Sequence, residues 1–384
     1  MAKICILITN GLWSDFRLFF RQAPALAEDG HEVIYMAVEP DTTSTDKFQF
    51  YPLSVRQRKM ARPTGSLNLL IDILKVAPDV LEVVCVEQLP LALVLKLFTR
   101  IKVVYDCRED MYHSMLSKFW FPMWLRRIFA CCTLILQFLA DKILDGLITS
   151  DPAIFRMHKA MPESRKIVFY NVALLARFKK DYLPLAERPY DVVLMCGTLV
   201  RMYGLFVLTE ALRILANQGR AIKTLLIGRL LKEELKILEK TLGESKLTDQ
   251  VTVAGFRPHM EIPEILKTAK IGLVLLLDIP KFRNNISCKA FEYMACGMPV
   301  VSSDLPPERL FIRESETGIF FKPGDADALA KAITFLLDNI RHAQAMGEAG
   351  RKDVELKWNC ENEQKKLRKF YRRILANKKQ RWQK

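Results

Sequence analysis

Short uninterrupted apolar runs alternate with helix-length segments along the chain, and this alternation limits the folds open to it. Residues 4–9 form one such run, closed by Asn10-Gly11. A run without polar alternation is expected of a strand buried on both faces. Asp15 can open a helix that ends near Gly30, and residues 32–37 read as the next strand. Strand, helix, strand is a βαβ unit and predicts a parallel sheet. The pattern continues with strands over 80–86, 102–106, 147–149 and 167–170. Helices are expected over 89–98, 115–141 and 152–159.

Residues 171–190 lose periodicity and gain charge and proline, which reads as a linker. A second set begins at Asp191, with strands over 192–196, 223–227, 251–254, 271–276 and 299–302. Its last helices are expected over 326–338, 340–355 and 361–376. The expected domains are therefore 1–180 and 181–360, followed by a basic helix over 361–384. Open α/β sheets bind ligands outside the carboxyl ends of their strands. A ligand at a cleft between the two domains is the expectation from fold reasoning.

Composition narrows the class. A chain of 384 residues, 50% hydrophobic and 26% charged, is long enough for two domains and is neither disordered nor fibrous. Its net charge of +15 is uneven: residues 351–384 hold 13 basic and 4 acidic residues, net +9. Such a helix can face nucleic acid, anionic lipid or water. No nucleic-acid recognition module accompanies the charge, so nucleic acid is not expected as a partner. Nine cysteines, an odd number without Cys-x-x-Cys and mostly in apolar runs, read as reduced core residues of a cytosolic protein. The five histidines lack metal-ligand spacing, so no metal is expected. Met1-Ala2-Lys3 leads into a short strand rather than a leader-like apolar core. The apolar stretch 128–140, bounded by Arg127 and Asp141, is expected to be core and too short to span a bilayer.

Residues 284–301 carry the most chemistry. They read as a polar loop, a helix start, a short helix, a stop at Gly297 and a buried strand. The amides and partial positive charge of a helix start suit a phosphate. Lys289 adds a full charge, and Glu292, three residues on, can accept hydrogen bonds from a ribose diol. A capped helix with a surface Lys–Glu pair fits the same spacing.

Phe291-Glu292-Tyr293-Met294-Ala295, Gly297, Pro299-Val300-Val301, Gly318 and Lys322-Pro323-Gly324-Asp325 resemble the signature of retaining nucleotide-sugar glycosyltransferases of family 4. The resemblance extends over nearly the whole chain through Gly11, Asp15, Arg17, the blocks at 197–204 and 227–228, and residues 251–256. It implies an α/β protein of the GT-B fold: two Rossmann-like, doubly wound parallel-sheet domains facing a central cleft. The C-terminal helix would return to the N-terminal domain. The implied reaction moves a sugar from a UDP- or GDP-sugar to a glycan or lipid-linked acceptor, without a metal cofactor. Glu292 would bind the ribose, and Asn284, Ile286, Ser287 and Cys288 would approach the diphosphate or the donor sugar. Gly255, Phe256 and Arg257 would sit beside the base, and Gly11, Gly197 and Thr198 would complete the donor site.

The chain departs from that pattern. Asn284 stands seven residues before Glu292, where the family usually has a first glutamate. Thr198 and Tyr203 replace an arginine and a lysine. Arg201, Arg283 and Lys289 are the remaining candidates to meet the leaving diphosphate, Lys289 foremost. In the N-terminal half Arg108 replaces a histidine of the pattern Asp-x-His-Glu. Asp106 or Glu109 can orient or deprotonate an acceptor hydroxyl, or equally cap the following helix. A same-fold epimerase and a catalytically silent lipid- or partner-binding relative are the rival readings.

Residues 116–130 interleave tryptophan and phenylalanine with Lys118, Arg126 and Arg127. Such a segment suits a membrane interface, as it also suits a core helix. The paired cations of 365–379 would add attraction to an anionic bilayer, about 1 kcal/mol each. The chain is expected at the inner face of the cell membrane.

Overall fold

The computed structural model describes residues 1–9, 15–38, 47–53, 63–118 and 120–376. The chain divides into two units, residues 1–170 with 362–384, and residues 171–361.

The first unit holds seven parallel strands in the order β3-β2-β1-β4-β5-β6-β7. They are β1 (Lys3–Ile8), β2 (Glu32–Val38), β3 (Gln49–Leu53), β4 (Val80–Val83), β5 (Lys102–Cys107), β6 (Gly146–Thr149) and β7 (Lys166–Val168). β5 is buried along its whole length and β1 nearly so. That is why their sequences run apolar without alternation. β3, not anticipated from the sequence, is an edge strand carrying Pro52, which only an edge tolerates.

The second unit holds six parallel strands in the order β10-β9-β8-β11-β12-β13. They are β8 (Tyr190–Leu199), β9 (Thr224–Leu230), β10 (Val251–Gly255), β11 (Ala269–Val274), β12 (Val300–Ser303) and β13 (Gly318–Phe321). Numbered from its own first strand the order is 3-2-1-4-5-6, the doubly wound Rossmann arrangement, whose switch point lies between β8 and β11.

The segment expected as a linker is part of the second unit. Val172, Ala173, Phe178 and Leu185 are fully buried. The Arg188 guanidinium donates to the carbonyls of Ala269 (2.9 Å) and Cys296 (3.0 Å). The boundary expected at 180 therefore falls inside this unit, because irregular backbone leaves no periodic sign of its burial.

The last helix, Cys360–Ala376, returns to the first unit. Leu367, Phe370, Tyr371 and Ile374 enter the core beside Ile4 and Ile6. Gly146 permits the approach, since a Cβ there would lie 2.6 Å from the Phe370 ring. The Tyr371 hydroxyl donates to the buried Glu82 carboxylate on β4, and Lys102 Nζ reaches the terminal carbonyl of Ile374 at 2.6 Å. Part of the helix's basic charge is spent on this docking: Arg368 pairs with Glu28 at 2.8 Å, and Arg372 pairs with Asp29. Lys378 and Lys379 lie outside the described residues.

The helix Met123–Ile143 corrects the expectation of core for 128–140. Its buried residues are Ala130, Thr133, Gln137, Ala140 and Asp141. Its outward face carries Trp124 (63% exposed), Ile128 (50%), Ile135 (60%) and Phe138 (56%). Periodicity locates an apolar stripe but does not say which side of the helix meets the domain, and here the stripe faces out. The helix has 21 residues, and an 18-residue stretch of it averages a hydropathy of 1.5, long and apolar enough to cross a membrane by length and composition, contrary to the shorter stretch read from the sequence.

Candidate active site

The carboxyl ends of β8 and β11 frame the site in the second unit. The β8–β9 pairing shifts register between Met195 and Thr198, so the chain bulges at Cys196-Gly197. Gly197 is exposed, and a Cβ there would meet nothing within 4 Å. Gly204, at φ +78°, closes the following turn against Leu275, whose carbonyl oxygen a Cβ would approach to 2.2 Å.

The helix Cys288–Ala295 is clamped onto this edge. The Met195 amide donates to the Tyr293 hydroxyl at 2.9 Å. Gly272 leaves room for the Tyr293 ring, 2.3 Å from where a Cβ would stand. Ser287 is the N-cap but makes no capping side-chain bond, and its buried Oγ has no partner among the described residues. Its amide donates to Glu308 Oε1 at 3.0 Å. Glu308 is fully buried, and its Oε2 has no partner among the described residues. Burial pushes its carboxyl up to about 8, against the pull of the Ser287 amide and Lys289.

Lys289 is half-buried, its Nζ 5.0 Å from the centre of the Tyr203 ring. Among the described residues no hydrogen-bond or ion-pair partner is recorded for it. Burial works against its charge. Cys196, Cys288, Tyr203 and Glu308 work the other way and hold it above the usual lysine range. Glu292 is 4% exposed and accepts from His259 Nε2 at 2.8 Å. Asn284, Ile286 and Cys288 are half-buried around the same helix start.

The other candidates divide. Arg283 is held by Asp278 at 2.6 and 2.9 Å, so its charge is largely spent. Arg201 is exposed with no partner among the described residues. Gly255 takes φ +71°, and the following Phe256 is 53% exposed. Arg257 turns back to the Ala254 carbonyl at 3.0 Å and lies 3.8 Å from Glu261.

Sequence reasoning missed three residues. Arg229, paired in register with Thr198, lies 5.8 Å from the Phe256 ring; its place directly after Ile227-Gly228 was a usable signal. His259 was two residues beyond the segment singled out. Nothing in the sequence marked Glu308, which meets Ser287 across 21 positions.

The remaining candidates belong to the first unit. Gly11 falls outside the described residues. Asp106 is fully buried, bound by Arg17 Nε and Nη2 at 2.9 and 3.0 Å and by Gln22 at 2.9 Å. Those donors occupy both oxygens, so the carboxylate serves to hold Arg17 rather than to meet an acceptor hydroxyl. It does not cap the next helix either; Asp110 does, accepting from the His113 amide. Arg108 pairs with Asp15 at 2.7 Å. Glu109 is half-buried and accepts from Ser114 at 2.9 Å.

A helix start, a lysine ammonium in its first turn and a buried carboxylate one turn on can together hold a phosphorylated, hydroxyl-bearing ligand. Residues 184–353 match the family model for glycosyl transferases group 1. The amylovoran biosynthesis glycosyltransferase AmsK of Erwinia amylovora is 32% identical over 169 residues, 44% of this chain and 41% of that protein. The phosphatidyl-myo-inositol mannosyltransferase of Mycobacterium leprae is 31% identical over 137 residues, 35% of this chain and 34% of that protein. The chain thus spans less than half the length of these curated relatives. Among solved structures, sucrose-phosphate synthase from Thermosynechococcus elongatus superposes with a TM-score of 0.76 at 18% identity, covering 98% of this chain and 99% of that one. Anabaena HepE in complex with UDP and glucose also scores 0.76, at 16% identity, covering 97% of this chain and all of that one. This likeness establishes the GT-B fold.

Proposed function

We propose that the chain is a retaining glycosyltransferase of family 4. It would move a sugar from a UDP- or GDP-sugar to a glycan or lipid-linked acceptor in surface-polysaccharide or lipid-glycan biosynthesis. The observation that carries this reading is the helix start at Ser287, with the Lys289 ammonium and the buried Glu292 carboxylate one turn apart. In this reading the first-turn amides and Lys289 take the diphosphate, and Glu292, held by His259, accepts from the ribose hydroxyls. Phe256 lies beside the base, and Gly197 and Thr198 leave a bare strand end for the diphosphate. Arg201 and Arg229 add countercharge. Negative charge developing on the leaving group is met by these side chains without a resident metal. AmsK and the mannosyltransferase, named for polysaccharide and lipid-glycan work, support the acceptor class.

We place the enzyme at the cytoplasmic face of the cell membrane, through the outward face of Met123–Ile143. The solvent-facing charges in and beside that helix are cations, among them Lys118, Arg127 and Lys142, while its one acid, Asp141, is buried against His158. Apolar side chains flanked by cations fit an anionic bilayer surface.

Calorimetry with UDP and GDP tests the donor site; binding of neither would overturn the reading. Transfer from a panel of nucleotide sugars, with the product's anomeric configuration read by NMR, tests retention.

A further inference from the structure

Cys107, Gln137, Asp141 and His158 meet in the first unit at the carboxyl end of β5, and all four line one cavity of about 300 Å³. The Gln137 amide donates from Nε2 to the Cys107 sulfur at 3.4 Å. The Cys107 Sγ lies 3.6 Å from the Glu109 carbonyl, to which the thiol donates. His158 Nδ1 is 2.7 Å from Asp141 Oδ1, and both residues are buried. A carboxylate beside Nδ1 favours the imidazolium. Burial works against that charge. Asp141 and the Cys107 sulfur, by hydrogen bond and by charge, outweigh it and raise the His158 pKa to about 10. Glu109, Asp110 and Lys159 are the other charged residues on the cavity wall, and Lys166 Nζ donates to the His158 carbonyl at 2.8 Å.

Other buried thiols of the chain stand differently. Burial pushes those of Cys5 and Cys196 up and that of Cys296 up to about 12, which keeps them protonated and inert. Cys107 is as buried, at 1% exposure, yet its sulfur has an imidazolium and an amide donor for company. Positive charge beside a sulfur favours the thiolate, the form that attacks an electrophile. With so little surface, the sulfur is open only to a reagent small enough to enter the cavity.

We infer that Cys107 is a redox-modification site that takes hydrogen peroxide or another small hydroperoxide. The Cys107 thiolate attacks one peroxide oxygen, so that an S–O bond forms and the O–O bond breaks. Sulfur is oxidised to a sulfenic acid and the peroxide is reduced. The departing oxygen takes the imidazolium proton of His158 and leaves as water, or as an alcohol from an organic hydroperoxide. Asp141 holds the imidazole in its charged form until that proton is given up. The site stands independently of the transferase reading.

The test exposes the full chain to hydrogen peroxide at neutral pH. Samples are unfolded at intervals into dimedone and iodoacetamide, and each cysteine is read by peptide mass spectrometry. Dimedone then marks sulfenic acid without having to enter the fold, and lost iodoacetamide labelling counts every oxidised product. Cys131 and Cys132, both exposed, give the rate of an ordinary surface thiol. Cys107 is expected to be oxidised about tenfold faster than either, since an ordinary thiol is only a few per cent thiolate at neutral pH. In chain already unfolded by urea the three rates should converge. His158→Gln, checked for a cooperative melt, should slow Cys107 to the rate of Cys131 and Cys132 or below. If that variant does not fold, the wild-type comparison with and without urea decides by itself. The assignment is overturned if folded wild-type Cys107 is oxidised no faster than Cys131 and Cys132, if its lead persists in urea, or if folded His158→Gln retains it.

Discussion

The Lys289 ammonium lies over the ring of Tyr203, 5.0 Å from its centre. Tyr203 is one of the positions where the chain departs from the glycosyltransferase pattern it resembles. The ring attracts the cation without neutralising it, so the charge stays available to an anion. Lys289→Ala is expected to lower kcat by roughly 10²–10³, the loss typical when one group facing developing charge is removed. Tyr203→Leu should cost about 0.5–1 kcal/mol of nucleotide affinity. Steady-state kinetics and calorimetry check both, and an unchanged kcat in Lys289→Ala would move the role to Arg201 or Arg229.

Glu292 and His259 act as a pair, the carboxylate accepting from Nε2 at 2.8 Å. Truncating Glu292 to alanine removes charge-assisted bonds of about 1.5–3 kcal/mol and should weaken UDP or GDP binding roughly 10- to 150-fold. His259→Ala leaves the carboxylate in place but unsteadied and should weaken binding less. Equal losses in the two variants would mean that the histidine itself touches the nucleotide.

Glu308 sets a pH dependence on stability. Its folded pKa of about 8 stands above the ordinary carboxylate value of 4.5. Between those values the folded state holds the proton more tightly than the unfolded chain, so stability falls as pH rises from about 4.5 to about 8 and levels off above that. Each pKa unit corresponds to about 1.4 kcal/mol. Glu308→Gln keeps an acceptor for the Ser287 amide and removes the ionisation. Its melting temperature should match wild type near pH 5 and exceed it at pH 8–9. Parallel curves across that range would show that the carboxyl is not held neutral.

The outward helix face makes an unusual stability prediction. Trp124, Ile128 and Ile135 are each at least half exposed, so replacing all three by serine should leave the melting temperature nearly unchanged. Large-to-small changes in a packed core instead cost several kcal/mol. The same variant should lose co-sedimentation with vesicles containing phosphatidylglycerol, and added salt should weaken the wild-type association. Retained vesicle binding would sink the membrane assignment.

The doubly wound sheets were legible in the sequence because parallel strands buried on both faces read as plain apolar runs, as β1 and β5 do. β3 and β13 were not, because β3 carries Pro52 and β13 opens on Gly318, residue types depleted in strands. The helix start with Lys289 and Glu292 was readable because its parts are neighbours in the chain. Glu308 and His259 were not, since each reaches its partner across 21 or more positions. Asp106 misled for a related reason: the sequence places a carboxylate at a strand end but not the Arg17 and Gln22 donors that occupy it, which come from more than eighty residues earlier.

The return of the final helix to the first unit sets an order on synthesis. Residues 171–361 form a complete unit before the helix that finishes the earlier one has left the ribosome. Until Tyr371 arrives, Glu82 lacks the hydroxyl it is bonded to, and Gly146 lacks the ring that covers it. The half made first is therefore closed last, and during translation it would present an uncovered sheet face of the kind that recruits chaperones.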